Sequence, residues 1–392
     1  MLDDPIIKAK RLNGEKWYEI DDIQDLDIAE SIFAENEEKA KKLSGRYGGY
    51  WRYPGLLDFC YLVNPYFPPK KMKDELKNSF DVLLTQYPSG MKVNSLLAGK
   101  NFGVHSENIV VGNGAAELIK SLMELTKGKA GFIRPTFEEY PNRYDEHNSI
   151  YYVPENRDFS YTADDLMKFF DDKGLDMLVV VNPDNPSGNY ISKTDLIRLV
   201  SWAKGKGLKL LIDESFVDFA DIEDSSLINQ EILDQNPHLF VMKSISKSYG
   251  VPGLRLGVLA SGDTEMIAKI KKDVSIWNIN SFAEYYMQIE EKYKKDYLTA
   301  MKKIKEERKR FETELSRVPH LRVIPSQANY VMVELMDDKN PKELFLTLLN
   351  DYNILIKELA GKTGGSYLRL AVRNSEDNDR LLEALFLELS GI

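Results

Sequence analysis

The sequence predicts an α/β protein: a large α/β/α domain on a mostly parallel sheet, followed by a smaller α+β domain. Apolar runs rich in β-branched residues recur at Ile109–Val111, Gly131–Ile133, Met177–Val181, Leu208–Ile212 and Leu239–Met242. Stretches with helical spacing, such as Ala116–Leu125 and Leu196–Ala203, lie between them. Buried strands alternating with helices build a parallel sheet. After Thr264 the chain reads as mostly helical to about Ser316, and short strands come next near Leu321–Ile324, Tyr330–Leu335, Ile354–Ile356 and Tyr367–Val372.

With 392 residues the chain has room for two or three domains, and 43% apolar content is ordinary for a globular protein. No apolar run approaches the roughly 20 residues of a membrane span, so no membrane partner is expected. MLDDPIIKAKRLNG lacks the apolar centre of a signal peptide. The single cysteine, Cys60, leaves no internal disulfide and fits a reducing cytoplasm. Four His and one Cys argue against a His/Cys zinc site, so no metal is expected. A net charge of −10 argues against a nucleic-acid partner, because phosphate binding needs a basic face. The run Lys302–Lys309, interleaved with Glu306 and Glu307, reads as the solvated face of a long helix.

The chemistry lies in the residues just after each strand. Ile109–Val111 leads into Gly112-Asn113-Gly114-Ala115-Ala116-Glu117, and Ile133 into Arg134-Pro135-Thr136-Phe137. Val181 leads into Asn182-Pro183-Asp184-Asn185-Pro186-Ser187-Gly188. Ile212 leads into Asp213-Glu214-Ser215-Phe216, and Met242 into Lys243-Ser244-Ile245-Ser246-Lys247. Ligands of open α/β sheets lie at the carboxyl ends of the strands, so these five ends converge on one site.

The contents suit pyridoxal 5′-phosphate. Gly112 to Ala116 is a tight turn into a helix N-terminus, where free N–H groups favour a phosphate. Ser244, Ser246 and Arg255 add hydroxyls and a fixed cation. Lys247 supplies an amine that forms a Schiff base with an aldehyde. Asp213 can hold a ring nitrogen protonated, which turns a pyridine into an electron sink. Phe137 offers a flat face for stacking. Each piece alone has a plainer explanation: a turn, a helix cap or a surface lysine. Their joint occurrence in this order carries the inference. A dinucleotide site would want G-x-G-x-x-G after an early strand, and none stands there.

The motifs NPDNPSG (182–188), DESFVDF (213–219), SISKSYGVPGLRLG (244–257), GNGAAELI (112–119) and YLRLAVRNSEDN (367–378) are specific. Through them the chain resembles the class I/II, fold-type-I aminotransferases over roughly residues 46–392. It is most similar to the branch holding histidinol-phosphate aminotransferase and L-threonine-O-phosphate decarboxylase. The resemblance implies that Lys247 carries the cofactor and shuttles the α-proton, and that Asp213 pairs with the pyridinium nitrogen. Asn185 would bond the phenolic oxygen and Phe137 would stack on the ring. Gly114, Ala115, Ala116, Ser244, Ser246 and Arg255 would hold the phosphate. Tyr87, in the QYP segment, would reach the cofactor phosphate of the other subunit, which implies a homodimer with shared active sites. Arg369 would clamp the substrate carboxylate as a bidentate fork. Asn329 and Asn64 would line the pocket. Lys357 sits where many relatives carry Arg and would neutralise a phosphate or phosphonate as a point charge; its plainer reading is a surface lysine. Amino acids and 2-oxo acids are the substrates expected.

Two reactions stay open. Most enzymes with this motif set transaminate, which puts transamination of a small phosphate- or phosphonate-bearing amino acid or amine first. The alternative is decarboxylation of an amino acid O-phosphate, because YGG (47–49), PTFEEY (135–140), VPGLRLG (251–257), WNINSFAE (277–284), LAVR (370–373) and Phe216 are spelled as in the decarboxylase relative. Aminotransferases usually carry Tyr at the place of Phe216. In DFCYLVNPYFPP (58–69), Leu62 replaces an Asn and Phe67 a Gly of the usual pattern, so the substrate differs from the family standards. A catalytically inactive binding module is disfavoured because Lys247, Asp213, Asn185 and Arg255 are all present.

The organisation expected is an N-terminal extension over 1–45, an arm over 46–75 packing on the small domain, a large cofactor-binding domain over 76–280 and a small domain over 281–392. Ile20, Ile23, Leu26, Ile28, Ile32 and Phe33 fit an amphipathic helix. WYEIDDIQDLDIAE (17–30) resembles the tail of nucleotidyltransferases, which implies one half of a longer fusion, or its descendant.

Overall fold

The computed structural model describes residues 17–390. They form two compact units. One comprises the residues up to Asp58 with Lys342–Leu355, and the other Phe59–Pro341 with the residues from Ile356 on.

In the first unit the acidic N-terminal stretch forms helices over Ile23–Phe33 and Asn36–Arg46. Asp22 caps the former, its carboxylate accepting from the backbone N–H of Gln24 and Asp25 at 2.7 and 2.9 Å. Only part of the expected apolar stripe is used. Ile28 is buried, whereas Ile20, Ile23, Leu26 and Phe33 are exposed. Lys39 is buried and donates to the carbonyl of Leu349 at 2.9 Å.

The described strands are, in chain order, β1 (Leu57–Asp58), β2 (Ile109–Asn113), β3 (Ala130–Ile133), β4 (Ser149–Tyr152), β5 (Met177–Val181), β6 (Lys209–Asp213) and β7 (Leu239–Ser244). They continue with β8 (Leu256–Ser261), β9 (Leu321–Ile324), β10 (Tyr330–Leu335), β11 (Ile354–Leu355), β12 (Lys357–Glu358) and β13 (Tyr367–Ala371). The second unit holds a seven-stranded sheet in the order β2-β8-β7-β6-β5-β3-β4. β8 runs antiparallel to both neighbours and the other pairings are parallel. The carboxyl ends of β2, β3, β5, β6 and β7 therefore share one edge, as the sequence predicts. β4 and β8 are additional to the five expected strands. β8 reads LGVLAS, and its small residues weaken the apolar signal.

Strand alternation sends successive side chains to opposite faces. Val111, Val180, Leu210, Ile212, Val241 and Val258 pack on one side with Leu196, Leu199 and Val200 of the helix Lys193–Lys206. Val110, Val179, Leu211, Phe240 and Leu259 pack on the other with Leu118, Ile119 and Leu122 of the helix Ala115–Leu125. Each such buried side chain contributes roughly 1.5–3 kcal/mol. A second, antiparallel sheet has the order β12-β13-β10-β9. Among the described residues no helix is long and apolar enough to cross a membrane.

The lysine-rich run in the helix Lys294–Leu315 corrects one expectation. Lys302, Lys303 and Lys309 are exposed, but Arg308 is only 1% exposed. Its Nη1 donates to the carbonyls of Phe219 and Ala328 at 2.7 and 3.1 Å, and its Nη2 to Asp221 at 2.9 Å. Composition cannot separate a solvated cation from one spent on buried carbonyls. Replacing Arg308 with Met should cost about 3–5 kcal/mol in denaturant unfolding, because three acceptors lose their donor. A cost below about 1 kcal/mol would contradict this assignment.

Candidate active site

The strand register builds a cradle. Gly257 in β8 lies opposite Gly112 in β2 and opposite Ser244 in β7. One glycine thus brings the Gly112–Ala116 turn beside the Ser244–Lys247 turn. A Cβ on Gly257 would collide with the backbone N of Ala115. Gly114 has φ of +76°, and a Cβ there would run into the Arg255 guanidinium. The Gly114 N–H donates to the Arg255 carbonyl at 2.8 Å, which fixes the turn against that arginine. The helix that opens at Ala115 presents its first N–H groups here, and a helix leaves these without intrahelical partners. The Oγ of Ser246 is buried and has no protein partner. Gly114, Ala115, Ala116, Ser246 and Arg255 thus offer N–H, hydroxyl and guanidinium donors in one place, which suits a phosphate. Ser244 anchors the turn through its backbone N–H, which donates to Ser215 Oγ at 3.0 Å.

Lys247 sits in the short helix Ile245–Ser248 immediately after β7. Removal from water pushes its pKa down to about 8, with Arg369 and Arg255 acting in the same direction. A lysine so placed is an available nucleophile near neutral pH. Asp213 ends β6 and is 3% exposed. It accepts from the Ser215 N–H at 2.8 Å and from the Tyr140 hydroxyl at 2.7 Å. Burial pushes its pKa up, while Ser215 through its hydroxyl and its N–H, Tyr140 and Lys247 oppose the rise. Phe137 is 39% exposed, with its ring edge-to-face with Tyr140 at 6.3 Å.

Arg369 in β13 donates from Nη1 to Asn185 Oδ1 at 2.6 Å and from Nη2 to the Cys60 carbonyl at 2.8 Å. The first bond orients the Asn185 amide, so that its NH2 is the side free to address another acceptor. Lys357 is paired with Arg369 across β12 and β13, which puts both side chains on the same face.

One expected site residue stands elsewhere. Asn64 is corrected: it is 1% exposed and lies behind the lysine. Its backbone N–H donates to the Lys247 carbonyl at 3.0 Å and its side chain to the Ser248 carbonyl at 2.9 Å. Its side-chain oxygen accepts from Tyr66 N–H at 3.0 Å, so its polar atoms are spent on the protein. Asn329 is 1% exposed, with both side-chain polar atoms lacking a protein partner, and no hydrogen bond ties it to the other site residues. Tyr87 points outward, 80% exposed, with its ring 4.5 Å from that of Trp277.

Tyr140, Ser215 and the Cys60 carbonyl were not legible in the sequence as partners of Asp213 and Arg369. Tyr140 closes the PTFEEY segment, but nothing local says that it reaches a carboxylate 73 residues on. Backbone donors and acceptors such as Ser215 N–H and Cys60 C=O carry no residue-type signal.

A strand-end lysine, a buried carboxylate and a glycine-built phosphate cradle on a mostly parallel sheet define a pyridoxal-phosphate enzyme. The sequence matches Aminotransferase class I and II over residues 71–385, and the chain belongs to that family, whose enzymes use pyridoxal phosphate. It is 35% identical over 372 residues to CMP-5′-(3-aminopropyl)phosphonate synthase of Streptomyces rubellomurinus, covering 94% of this chain and 58% of that protein. The chain therefore spans less than two thirds of that relative. It is 32% identical over 348 residues to L-serine phosphate decarboxylase of Sulfurospirillum multivorans, covering 84% of this chain and 87% of that one. The crystal structure of histidinol-phosphate aminotransferase from Clostridium acetobutylicum matches with a TM-score of 0.76 at 28% identity, over 86% of this chain and all of that one.

The depressed Lys247 value sets a pH dependence. Only the neutral amine attacks an aldehyde, and its fraction rises with pH until about 8. The rate at which apo-protein captures pyridoxal phosphate, monitored by absorbance, should rise about tenfold per pH unit below that point and level off above it. A rate that keeps climbing to about pH 10, as for an ordinary lysine, would show that the ammonium is not desolvated.

Proposed function

We propose that this enzyme removes the α-carboxylate from a small amino acid that carries a phosphate or phosphonate at its far end. The carrying observation is a surplus of cations at the substrate side. Lys357 shares a face with Arg369. Lys362 donates to the Thr136 carbonyl at 3.1 Å, beside Phe137, and its pKa is pushed down by burial and by Arg369 and Lys357. Glu138, 4.0 Å from Lys362, and Asp184 are the carboxylates acting on this group. Three cations against two carboxylates, one of them the buried Asp184 whose pKa is raised to about 7 by burial, leave positive charge for a substrate with two anionic ends.

Phe216 favours decarboxylation. It is buried, its ring stands 6.0 Å from Lys247 Nζ, and it packs edge-to-face on Tyr330 at 5.1 Å. An apolar wall there penalises a charged carboxylate more than the dispersed charge left when CO2 departs. Two relatives point the same way: one is a serine-phosphate decarboxylase, and the other's named product carries an aminopropyl group on a phosphonate.

Pyridoxal phosphate, when bound, supplies the sink for the electron pair left at the α-carbon. Arg369 would hold the carboxylate, Lys357 and Lys362 the distal anion, and Asp213 the ring-nitrogen proton. The Cα–carboxylate bond breaks, CO2 leaves, and Lys247 would deliver a proton to Cα. Transamination is the second reading, favoured by the family as a whole and put first by the sequence. It would use the same residues with a different α-bond standing perpendicular to the ring.

Enzyme mixed with phosphoserine, phosphothreonine, histidinol phosphate and 2-aminoethylphosphonate, with and without 2-oxoglutarate, should release CO2 from one of the amino acid phosphates without the oxo acid. Glutamate formation with no CO2 would establish transamination instead. With the active substrate, Arg369→Ala should cut kcat/KM by about tenfold to several thousandfold. Cofactor affinity should stay nearly unchanged; release of the cofactor would mean that Arg369 belongs to its site.

The same reading makes the enzyme a homodimer in which Tyr87 serves the neighbouring site. Tyr87 meets the ring of exposed Trp277, and Val82, Leu84 and Ile276, close to these two in sequence, are exposed as well, which a second copy would cover. Lys247→Ala and Tyr87→Ala chains, each impaired alone, should regain activity when mixed, since half of the hybrid sites are intact. No recovery in dimers shown to have exchanged would rule out sharing.

A further inference from the structure

We propose that Tyr140 is a positioning residue that keeps Asp213 ionised, so that the proton between Asp213 and the cofactor's ring nitrogen resides on the nitrogen. This rests on the reading that Asp213 faces that nitrogen. The short helix Glu139–Asn142, after β3, carries Tyr140 into the interior, where it is 1% exposed. Its hydroxyl donates to Asp213 Oδ2 at 2.7 Å, and its ring edge meets Phe137 at 6.3 Å. One side chain therefore touches both the residue placed for the ring's face and the residue placed for its nitrogen.

Hydrogen-bond chemistry gives the direction of the effect. A buried carboxylate is driven towards its neutral form unless donors hold its charge. Asp213 takes such bonds from Ser215, through both its hydroxyl and its N–H on Oδ1, and from the Tyr140 O–H, which is the donor on Oδ2. Burial and the Asp213 charge raise the pKa of Tyr140, so the phenol keeps its proton and acts only as a donor. A donor bonds an anion more strongly than a neutral acid. Tyr140 therefore biases the shared proton away from Asp213. Without it, a neutral Asp213 would donate to an uncharged ring, which is a poorer electron sink. A plainer role is available: a buried phenol needs some acceptor, and Asp213 satisfies it. The two roles differ in what the ring nitrogen reports.

The test uses holoenzyme loaded with pyridoxal phosphate carrying nitrogen-15 in the ring. In Tyr140→Phe the nitrogen resonance should move from the pyridinium position towards that of neutral pyridine. kcat should fall by about 10- to 100-fold, with KM within about threefold. Tyr140→His, which retains a donor, should recover part of both. An unchanged pyridinium resonance with kcat within about twofold would overturn the proposal and leave a packing role. If Tyr140→Phe fails to fold, 3-fluoro- and 3,5-difluorotyrosine placed at position 140 grade the donor strength. The pH at which the ring nitrogen loses its proton should rise in that order, and the absence of any trend would overturn the proposal. A neutral nitrogen in the unsubstituted enzyme, unmoved by Asp213→Asn, would instead overturn the placement of Asp213 on which the proposal rests.

Discussion

Asp213 ends a strand whose preceding residues, Leu210, Leu211 and Ile212, are completely buried. A carboxylate in that position costs several kcal/mol unless it is compensated. Much of the local structure supplies compensation. The turn after β6 folds back so that Ser215 N–H meets Oδ1, and the chain after β3 turns Tyr140 inwards to meet Oδ2. These bonds oppose the upward pressure that burial puts on its pKa. The charge kept there is what a protonated ring nitrogen requires as a partner.

The second requirement is that a phosphate cradle and a lysine stand at fixed distances from that carboxylate. Strand register meets it. β7 neighbours β6, and β8 separates β7 from β2, with Gly257 opposite both Ser244 and Gly112. The lysine is held from behind as well. Asn64 bonds the carbonyls of Lys247 and Ser248, while Asp218 accepts from Ser248, Lys243 and Tyr297 at 2.7, 2.5 and 2.9 Å. Cys60, four residues before Asn64, contacts Arg369 through its carbonyl. The segment from Cys60 to Asn64 thus ties Arg369 and Lys247 to the same stretch of backbone.

The sequence made legible whatever residue type and strand position determine together. Lys247, Asp213, Asn185, Arg255 and the Gly112–Ala116 turn stand at or near strand ends because their chemistry restricts which residues can serve there. What it left hidden depends on distant pairing or on backbone atoms. Tyr140 looks like any aromatic until the sheet brings Asp213 beside it. Asn64 looks like a pocket residue but spends its side-chain amide on the backbone of Ser248 and Tyr66. Arg308 sits in a run of cations whose composition suits water, and only the fold shows which member turns inwards. The antiparallel β8 has three small residues in six and gives little strand signal, although its glycine sets the spacing of the cradle.

Everything proposed for this site depends on Lys247, among the lysines near it, being the one that carries the cofactor. Lys243 and Lys362 are the informative controls, the first buried in the adjoining strand and the second beside Phe137. Reduction of the holoenzyme with borohydride and then peptide mapping should attach the pyridoxyl group to Lys247 alone, and Lys247→Ala should take up no label at the site. Attachment to Lys243 or Lys362 in the unsubstituted enzyme, or normal turnover by Lys247→Ala, would contradict that assignment.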